Sequence, residues 1–222
     1  MNENVVFYSQ GNQDKWICEI FKYKKDGFFI DIGAMDGIQY SNSYTLEKFL
    51  GWNGICIEPS LISFKSLNSN RKSININAAI SNFDGYAYFE GHGPCVKMTD
   101  SGIEKTKVYK LNSLLQEINC RTEIDFLSID IEGEEENALV DFDFNKYFIK
   151  CITIEHNLYC EDSSQKDSLF NLLSSNGFTR VVDNAVCLDK SPHVYNQPYE
   201  DWYINSKCLD LLNDDNSKKQ PK

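Results

Sequence analysis

What this sequence has little of is positive charge, and that shortage narrows the range of its partners. Only 22 Lys and Arg residues stand against 33 Asp and Glu residues, which gives a formal net charge of −11. Such a chain repels phosphate, so we expect no nucleic acid partner. Long apolar runs are also absent, with nowhere about 18 such residues together, and the N-terminus MNENVVFYSQ lacks a signal-peptide core. We therefore expect a soluble, cytoplasmic protein without membrane insertion.

Cysteine motifs are missing too, although the chain has eight cysteines. No C-x-x-C pair and no Cys/His spacing typical of a zinc site occurs. Cys56, Cys151 and Cys187 lie within apolar runs, where a thiol behaves as a small hydrophobic side chain. We expect all eight cysteines to be reduced, as in a cytosolic protein.

The residues that are present alternate between short apolar runs and amphipathic stretches. A helical pattern in QDKWICEIFKY (13–23) precedes the buried-strand pattern GFFIDIG (27–33). Two more strand patterns, GICIEPS (54–60) and SININAAI (73–80), each follow a helical stretch. This β-α-β-α-β order predicts an α/β fold with a mostly parallel, doubly wound sheet.

The second half of the chain continues this pattern and ends in a predicted hairpin. Strand patterns occupy 85–91, 124–133 and 148–157, a strand runs into a helix over 106–118, and a further helix covers 164–177. The stretch TRVVDNAVCLDK (179–190) predicts a C-terminal antiparallel hairpin that turns near Asp183-Asn184. An aromatic group is expected to cover the sheet edge: Tyr195, Tyr199, Trp202 and Tyr203.

Composition predicts how this chain is divided. We find no internal repeat and no linker that would separate two domains. We expect one domain over 1–205, with 1–25 as a helical lead-in, and a polar, disordered tail over 206–222.

Polar groups follow one predicted strand after another. They are Asp31 through Asp36, Glu58, Asn77, Asp130 with Glu132, and Glu155-His156-Asn157. In open α/β sheets, ligands bind beyond the carboxyl ends of the strands, where the strand order reverses. The sequence therefore predicts a ligand site at this edge.

The turn DIGAMDG after the first strand indicates a cationic nucleoside rather than a dinucleotide. Gly33 and Gly37 let the backbone approach a ligand, but Asp36 would repel a diphosphate. Glu58 lies 21 residues after Gly37, where an acid typically binds the two ribose hydroxyls. S-adenosylmethionine has a ribose, a positive centre and no phosphate, so we expect it as the cofactor. The segment INAAISN (76–82) would line its adenine with Asn77, Ala78 and Ala79.

With these motifs the chain resembles the FkbM-type methyltransferases over roughly residues 7 to 204. The matching segments are YSQGNQDKWI (8–17), FIDIGAMDGIQYSNSYTLEK (29–48), GICIEPS (54–60), AAISN (78–82), LNSLL (111–115), DFLSIDIEGEE (125–135) and ITIEHN (152–157). The resemblance implies a Rossmann-like class I fold and transfer of a methyl group from S-adenosylmethionine to a hydroxyl, often on a sugar or glycosylated product. It also implies that Asp31, Gly33 and Asp36 touch the methionine end of the cofactor and that Glu58 touches its ribose.

Methyl transfer to a hydroxyl requires a group that removes the hydroxyl proton. Asp130 and His156 end predicted neighbouring strands, so we expect one of them to be the base, oriented by Glu132 and Glu155. Two structural alternatives stay open. His156 would tie down a loop through backbone hydrogen bonds, and Asp130 would cap the helix that starts in EGEEE (132–136).

A divalent metal is a second possibility at the same place. Asp130, Glu132 and His156 would suit Mg²⁺ or Mn²⁺, which would lower the pKa of the acceptor hydroxyl. We favour the metal-free interpretation, in which S-adenosylmethionine is the only cofactor.

The same fold supports other functions, and the residues of this chain disfavour each of them. A nicotinamide-dependent oxidoreductase is disfavoured by the missing third glycine and by Asp36. A non-catalytic module that binds the nucleoside cofactor or a partner protein would not need the acids on the acceptor side. A nucleic acid methyltransferase would need a basic stripe, which the sequence lacks. The favoured partner is a sugar or glycan acceptor, and we expect the loop 91–102 to contribute to its selection.

Overall fold

The computed structural model describes residues 5–91, 97–102, 104–156, 158, 165–188, 195–212 and 220–221. Its helices are α1 (Gln13–Ile20), α2 (Tyr44–Leu50), α3 (Leu61–Asn70), α4 (Leu111–Glu117), α5 (Glu135–Leu139) and α6 (Lys166–Ser175). Its strands are β1 (Phe28–Ile32), β2 (Asn53–Ile57), β3 (Ile74–Ile76), β4 (Ala79–Ile80), β5 (Gly85–Glu90), β6 (Lys97–Thr99), β7 (Glu104–Tyr109), β8 (Glu123–Ile129), β9 (Phe148–Glu155), β10 (Phe178–Val186) and β11 (Pro198–Asn205). Among the residues so described, no helix combines the length and the apolar composition needed to cross a lipid bilayer.

Seven strands form the main sheet in the order β10-β11-β9-β8-β1-β2-β3. The pairs between β9 and β3 are all parallel, while β11 runs antiparallel to both of its neighbours. The strand order reverses between β1 and β8, which places a switch point there. The predicted α/β fold with a mostly parallel sheet and a C-terminal antiparallel hairpin is confirmed.

Side-chain alternation decides which face of the sheet each strand residue occupies. Ile30 and Ile32 of β1 pack into the core that contains residues of α4, α5 and α6. Phe29 packs on the opposite face, with residues of α1, α2 and α3. Helices therefore cover both faces, and Asp31 turns toward the face of α1, α2 and α3, which we call the α1–α3 side.

The predicted strand over 73–80 is wrong as a single element. β3 pairs with β2 in the main sheet, whereas β4 pairs with β7 in a separate sheet of order β4-β7-β5-β6. The side-chain amide of Asn77 donates to the carbonyls of Glu58 and Pro59, both at 2.9 Å. These bonds anchor the chain beside the end of β2 at the point where it leaves the main sheet.

The predicted turn at Asp183-Asn184 is also wrong. β10 continues through these residues, and Asn184 has a φ of +58° at an irregularity in the pairing with β11. A carboxylate oxygen of Asp201 accepts a hydrogen bond from the Asn184 amide at 2.8 Å, which stabilises the bulge. Because β11 lies inside the sheet, Trp202 and Tyr203 are core residues rather than the expected edge cover.

Part of the stretch predicted as a disordered tail (206–222) is folded. Ser206–Leu212 form a 3-10 helix, and its partly buried Leu211 and Leu212 pack against the core on the α1–α3 side. Farther on, the Gln220 side chain donates to the carbonyls of Gly11 and Val186. Residues 213–219 and 222 lie outside the described residues.

Several thiols are free and buried or half-buried: Cys18, Cys56, Cys120, Cys151 and Cys208. Burial raises the pKa of Cys18 and of Cys56 to about 12, so both remain protonated at neutral pH. Cys95 and Cys160 lie outside the described residues.

Candidate active site

The carboxyl ends of β1, β2, β8 and β9 meet at one edge of the main sheet, around the switch point. In β1 and β8, Asp31 lies opposite Ser128, and Ser128 in turn lies opposite Thr153 of β9. The polar groups that follow these strands therefore come from segments far apart in sequence and meet at one place.

The turn after β1 is held against both neighbouring strands. The backbone N–H groups of Gly33 and Ala34 both donate to the Ile57 carbonyl, at 3.0 and 3.1 Å. Gly33 has a φ of +91°, and a Cβ atom there would lie 1.8 Å from the Asp130 carbonyl oxygen. Only glycine fits this close approach.

Asp36 and Gly37 shape the rest of that turn. One carboxylate oxygen of Asp36 accepts the amides of Ile38 and Gln39, at 2.9 and 2.8 Å. Gly37, with a φ of +81°, is buried against the stem of Arg71. The Asp36 carboxylate thus stabilises its own turn and keeps its second oxygen for other partners.

Glu58 lies at the end of β2 and is only 4% exposed. Its two oxygens accept hydrogen bonds from the amides of Met35 at 2.9 Å and Ser60 at 2.8 Å. This carboxylate joins the turn after β1 to the end of β2. Of the three expected adenine contacts that follow β3, Asn77 is half-buried, whereas Ala78 and Ala79 are buried among apolar side chains.

Asp31 is buried beneath this turn rather than displayed on it. It accepts a hydrogen bond from the Ser43 hydroxyl. Burial raises the pKa of Asp31, and this increase exceeds the opposing effects of the Ser43 hydrogen bond and the Arg71 charge. The structure gives Asp31 a supporting position under the turn.

Three carboxylates project around the ends of β8 and β9: Asp130, Glu132 and Glu155. One oxygen of each lies within 4.8 Å of the others, and Asp130 is hydrogen-bonded to Glu155. Two ionised carboxylates cannot form such a bond, so one of the pair carries a proton. Burial raises the pKa of Asp130 as well, but at Glu155 burial and then the charge of Asp130 raise the pKa well above its usual range, so we assign the proton to Glu155.

The turn that presents Glu132 is held by another buried acid. Glu135 accepts the amides of Ile131 at 3.0 Å and Gly133 at 3.2 Å. Gln165 donates to the Gly133 carbonyl and to Glu135. Burial raises the pKa of Glu135 to about 7, and burial followed by the Asp130 charge does the same for Glu132.

His156 is not part of this cluster, contrary to the expectation that it and Asp130 face one acceptor. It is the residue after Glu155, so its side chain turns to the opposite face of the sheet. There its Nε2 lies 3.4 Å from an oxygen of Asp201, and its Nδ1 accepts the Leu158 amide at 3.3 Å. His156 is 1% exposed, and it accepts a backbone hydrogen bond from the loop after β9. This geometry matches the alternative in which His156 ties down a loop.

The carboxylate cluster also corrects the expected metal-ligating set. Asp130 and Glu132 converge with Glu155, not with His156. Oxygen ligands of this kind suit a hard divalent cation. Asn157, grouped with these residues in the sequence, lies outside the described residues.

Two polar residues at this edge were missed by the sequence analysis. The Gln13 side chain donates to a carboxylate oxygen of Glu200 and to the Tyr199 hydroxyl, both at 2.6 Å. Glu200 lies opposite Glu155 in the ladder between β11 and β9. Burial raises the pKa of Glu200 to about 8. The sequence analysis predicted no strand at this position, so nothing in the sequence signalled that Glu200 lies beside Glu155.

The sequence profile of the methyltransferase FkbM domain matches residues 31–179, well over half of the chain. The chain belongs to the FkbM methyltransferase family. The predicted family is thereby confirmed. No curated protein matches the sequence.

Solved structures agree with this FkbM assignment at the level of the fold. Methyltransferase FkbM from Methylobacillus flagellatus KT is 12% identical with a TM-score of 0.53, and the alignment covers 85% of this chain. It covers 47% of that chain, so the protein spans about half the length of this relative. The METTL16 MTase domain is 12% identical with a TM-score of 0.51, over 88% of this chain and 66% of that one. The Rossmann-like class I methyltransferase fold is confirmed, and family and fold support S-adenosylmethionine-dependent methyl transfer.

Proposed function

We propose that this FkbM methyltransferase is an O-methyltransferase that methylates a hydroxyl of a sugar, a glycan or a glycosylated small molecule. The observation that carries the proposal is the hydrogen-bonded pair of Asp130 and Glu155 at the switch point. It lies beside the glycine turn, so a proton acceptor is next to the expected cofactor end of the sheet.

The residues around the turn fit a positively charged nucleoside. The amides of Gly33 and Ala34 are already bonded to the Ile57 carbonyl, so they are not available to a diphosphate. Asn42 Oδ1 is buried without a hydrogen-bond partner among the described residues, and an ammonium group would satisfy it.

Asp36, Glu58 and Asn77 would hold S-adenosylmethionine at this edge. When bound, it supplies an electrophilic methyl group. The chain contributes a negative environment that favours the cationic cofactor. These features also disfavour a dinucleotide and, with it, the oxidoreductase alternative.

Asp130 is the base in this proposal. It is half-buried and therefore reachable, whereas Glu155 behind it is buried. The acceptor hydroxyl would donate a hydrogen bond to Asp130 and pass its proton to that carboxylate. Glu155, already protonated, donates its hydrogen bond to Asp130 and holds the base in one orientation.

The acceptor class follows from the charges around this base. A protonated carboxyl donates a hydrogen bond to a neutral hydroxyl, and an ionised carboxylate accepts one from it. A sugar offers several such hydroxyls. The positive charge of Lys97 from the small sheet opposes the rise in the pKa of Glu132, and in this proposal the small sheet flanks the acceptor. Residues 92–96 and 103, part of the expected specificity loop and its continuation, lie outside the described residues. We also propose that the enzyme works in the cytoplasm, where its buried thiols stay reduced.

Titration calorimetry with S-adenosylhomocysteine tests the cofactor part of the proposal. The variants Glu58→Gln and Asp36→Asn each remove a charge. Asp36→Asn keeps an oxygen for both of its backbone amides, and Glu58→Gln keeps one of the two oxygens that accept amides. We expect each to weaken binding at least about tenfold. Glu19→Gln, which changes an exposed acid on α1, should bind like the wild type, and NAD should not bind at all.

A screen of sugar acceptors with radiolabelled S-adenosylmethionine then tests the transfer. Label incorporated into a sugar as a base-stable methyl ether is the expected product. Cofactor binding without transfer to any acceptor would favour the non-catalytic nucleoside-binding module. A wild-type protein that binds no S-adenosylhomocysteine would overturn the proposal.

A further inference from the structure

One arginine lies at the centre of the hydrogen bonds around the turn after β1. Arg71 follows the last residue of α3, and its side chain is 0% exposed. Its Nε donates to Glu47 at 3.0 Å, its Nη1 to the Gly37 carbonyl at 3.2 Å and to the Ser41 hydroxyl at 3.3 Å, and its Nη2 to the Ser43 hydroxyl at 3.0 Å. A single guanidinium therefore contacts the middle and the end of one loop.

This loop, residues 33–43, is called the cofactor turn from here on. Its polar links continue from Arg71 to the sheet, since the Ser43 hydroxyl donates to Asp31 of β1. They also continue to α2, since the Ser41 hydroxyl accepts the amides of Ser43 and Tyr44 at the start of that helix. The turn is thus held to the sheet and to α2 through partners of one side chain.

The aliphatic part of the same side chain shapes the turn from below. A Cβ atom at Gly37 would lie 2.6 Å from Cγ of Arg71, so the backbone at Gly37 rests directly on the arginine stem. The guanidinium carbon lies 5.3 Å from the centre of the Phe29 ring and 5.6 Å from that of Tyr44. These contacts leave Arg71 without a route to solvent.

We propose that Arg71 is a positioning residue that holds the cofactor turn in its binding geometry and thereby sets the affinity for the cofactor. The proposal rests on the proposed function, because it assumes that the turn binds S-adenosylmethionine. Arg71 itself touches no reacting atom. It acts through Gly37, Ser41 and Ser43.

Lysine cannot replace arginine in this role. A planar guanidinium donates in fixed directions to several acceptors at once, whereas an ammonium group is a point charge on a flexible stem. Arg71→Lys keeps the positive charge beside Glu47 and Asp31 but loses the fork that spans the turn. The substitution therefore separates the charge from the geometry.

The test measures S-adenosylhomocysteine affinity by calorimetry on the full chain, at a temperature where circular dichroism shows each variant folded. We expect Arg71→Lys to weaken binding at least about tenfold and Ser43→Ala to weaken it about threefold. In the double variant, the fold-loss of affinity should be smaller than the product of the two single fold-losses, because both side chains belong to one hydrogen-bond network. Leu173→Ala is the control, since it removes a buried side chain of α6 on the other face of the sheet and should leave the affinity within about twofold.

Hydrogen exchange of the unliganded protein separates failure of this inference from failure of the proposed function. Amides of residues 37–44 should exchange faster in Arg71→Lys than in the wild type. In Leu173→Ala, exchange in this segment should not increase more than in the rest of the protein. Unchanged exchange there would overturn the inference whether or not the wild type binds S-adenosylhomocysteine. Equal affinity in Arg71→Lys and wild type, or an equal loss in Leu173→Ala, would overturn it as well. If Arg71→Lys does not fold, Ser43→Ala carries the same comparison.

Discussion

At the scale of single residues, the alternation of side chains along β9 decides which group can serve the acceptor. Glu155 faces Asp130 on the α1–α3 side, and the next residue, His156, faces Asp201 on the other. A protonated carboxyl beside an ionised one gives the site both a donor and an acceptor. In the proposed reaction, the site therefore needs no imidazole to receive a proton.

Asp130→Asn should remove most of the activity while leaving the cofactor end intact. The amide cannot accept the hydroxyl proton, so we expect kcat to fall by about 10² to 10⁴. Affinity for S-adenosylhomocysteine should stay within about threefold of the wild type. Initial rates at a saturating acceptor concentration measure kcat, and calorimetry measures the affinity for S-adenosylhomocysteine.

His156→Gln is the matched comparison for this assignment. Its side chain faces away from Asp130, so kcat should remain within about threefold of the wild type once folding is verified. A loss in His156→Gln as large as that in Asp130→Asn would show that the base has been assigned to the wrong residue.

Asp201 makes the stability of the fold sensitive to acid. Its burial favours the protonated form, but hydrogen bonds with His156, the Asn184 amide and Arg180 outweigh burial and hold the pKa of Asp201 at about 2. The folded-state pKa is lower than the ordinary value of 3.8, so this stabilisation is present above about pH 4 and is lost as the pH falls toward 2. The shift corresponds to about 2 kcal/mol.

Urea unfolding of wild type and Asp201→Asn between pH 6 and about pH 2 measures this effect. The difference in the free energy of unfolding should shrink by about 2 kcal/mol across that range, because only the wild type loses the ionised carboxylate. A difference that stays constant with pH would contradict the low pKa.

At the scale of the element, the turn between β1 and α2 depends on one glycine more than on its hydrogen bonds. A Cβ at Gly33 would overlap the Asp130 carbonyl, which belongs to the loop carrying the proposed base. We expect Gly33→Ala to destabilise the fold by about 3 kcal/mol or more, since the backbone of one loop has to move. It should also abolish detectable cofactor binding.

Gly177→Ala provides the control for backbone strain alone. Gly177 has a φ of +84° after α6, but a Cβ there would meet nothing within 4 Å. The cost should be about 1 to 2 kcal/mol, with cofactor affinity unchanged. Denaturant unfolding of both variants makes the comparison, and equal losses would contradict the role of the β1–β8 contact.

Local patterns identified most elements because most are short, apolar strands and amphipathic helices near each other in sequence. They failed where tertiary contacts override propensity. In 73–80, the Asn77 side-chain bonds accompany the break between two sheets. In β10, the carboxylate of Asp201 supports a bulge at Asn184 that the sequence alone suggests as a turn.

At the scale of the whole molecule, the edge of the sheet could be predicted from acids that follow successive strands, but its internal connections could not. Parallel strands bring their carboxyl ends together whatever the sequence between them, which is why Asp130 and Glu58 were found. The Gln13–Glu200 bond joins residues 187 positions apart, and Arg71 reaches Gly37 across 34 positions. No local pattern signals such pairs, because neither partner stands out within its own segment.

The charge of the whole molecule should also select the acceptor. The net charge is −11, and the carboxylates of Asp130, Glu132 and Glu155 converge at the proposed acceptor side. An anionic sugar is therefore repelled both on approach and at the site. Within a matched pair of acceptors that differ only by a carboxylate in place of a hydroxymethyl group, we expect kcat/KM to be at least about tenfold lower for the anionic member.

Salt separates the two sources of this discrimination. Raising the ionic strength from about 0.02 M to about 0.5 M screens the long-range field but not the contacts between buried groups. The difference between the two acceptors should therefore narrow without disappearing. Equal kcat/KM values at low salt would show that the carboxylate cluster does not face the acceptor. A preference that vanishes completely at high salt would assign the selection to net charge alone and leave the three carboxylates to the chemistry of the proton.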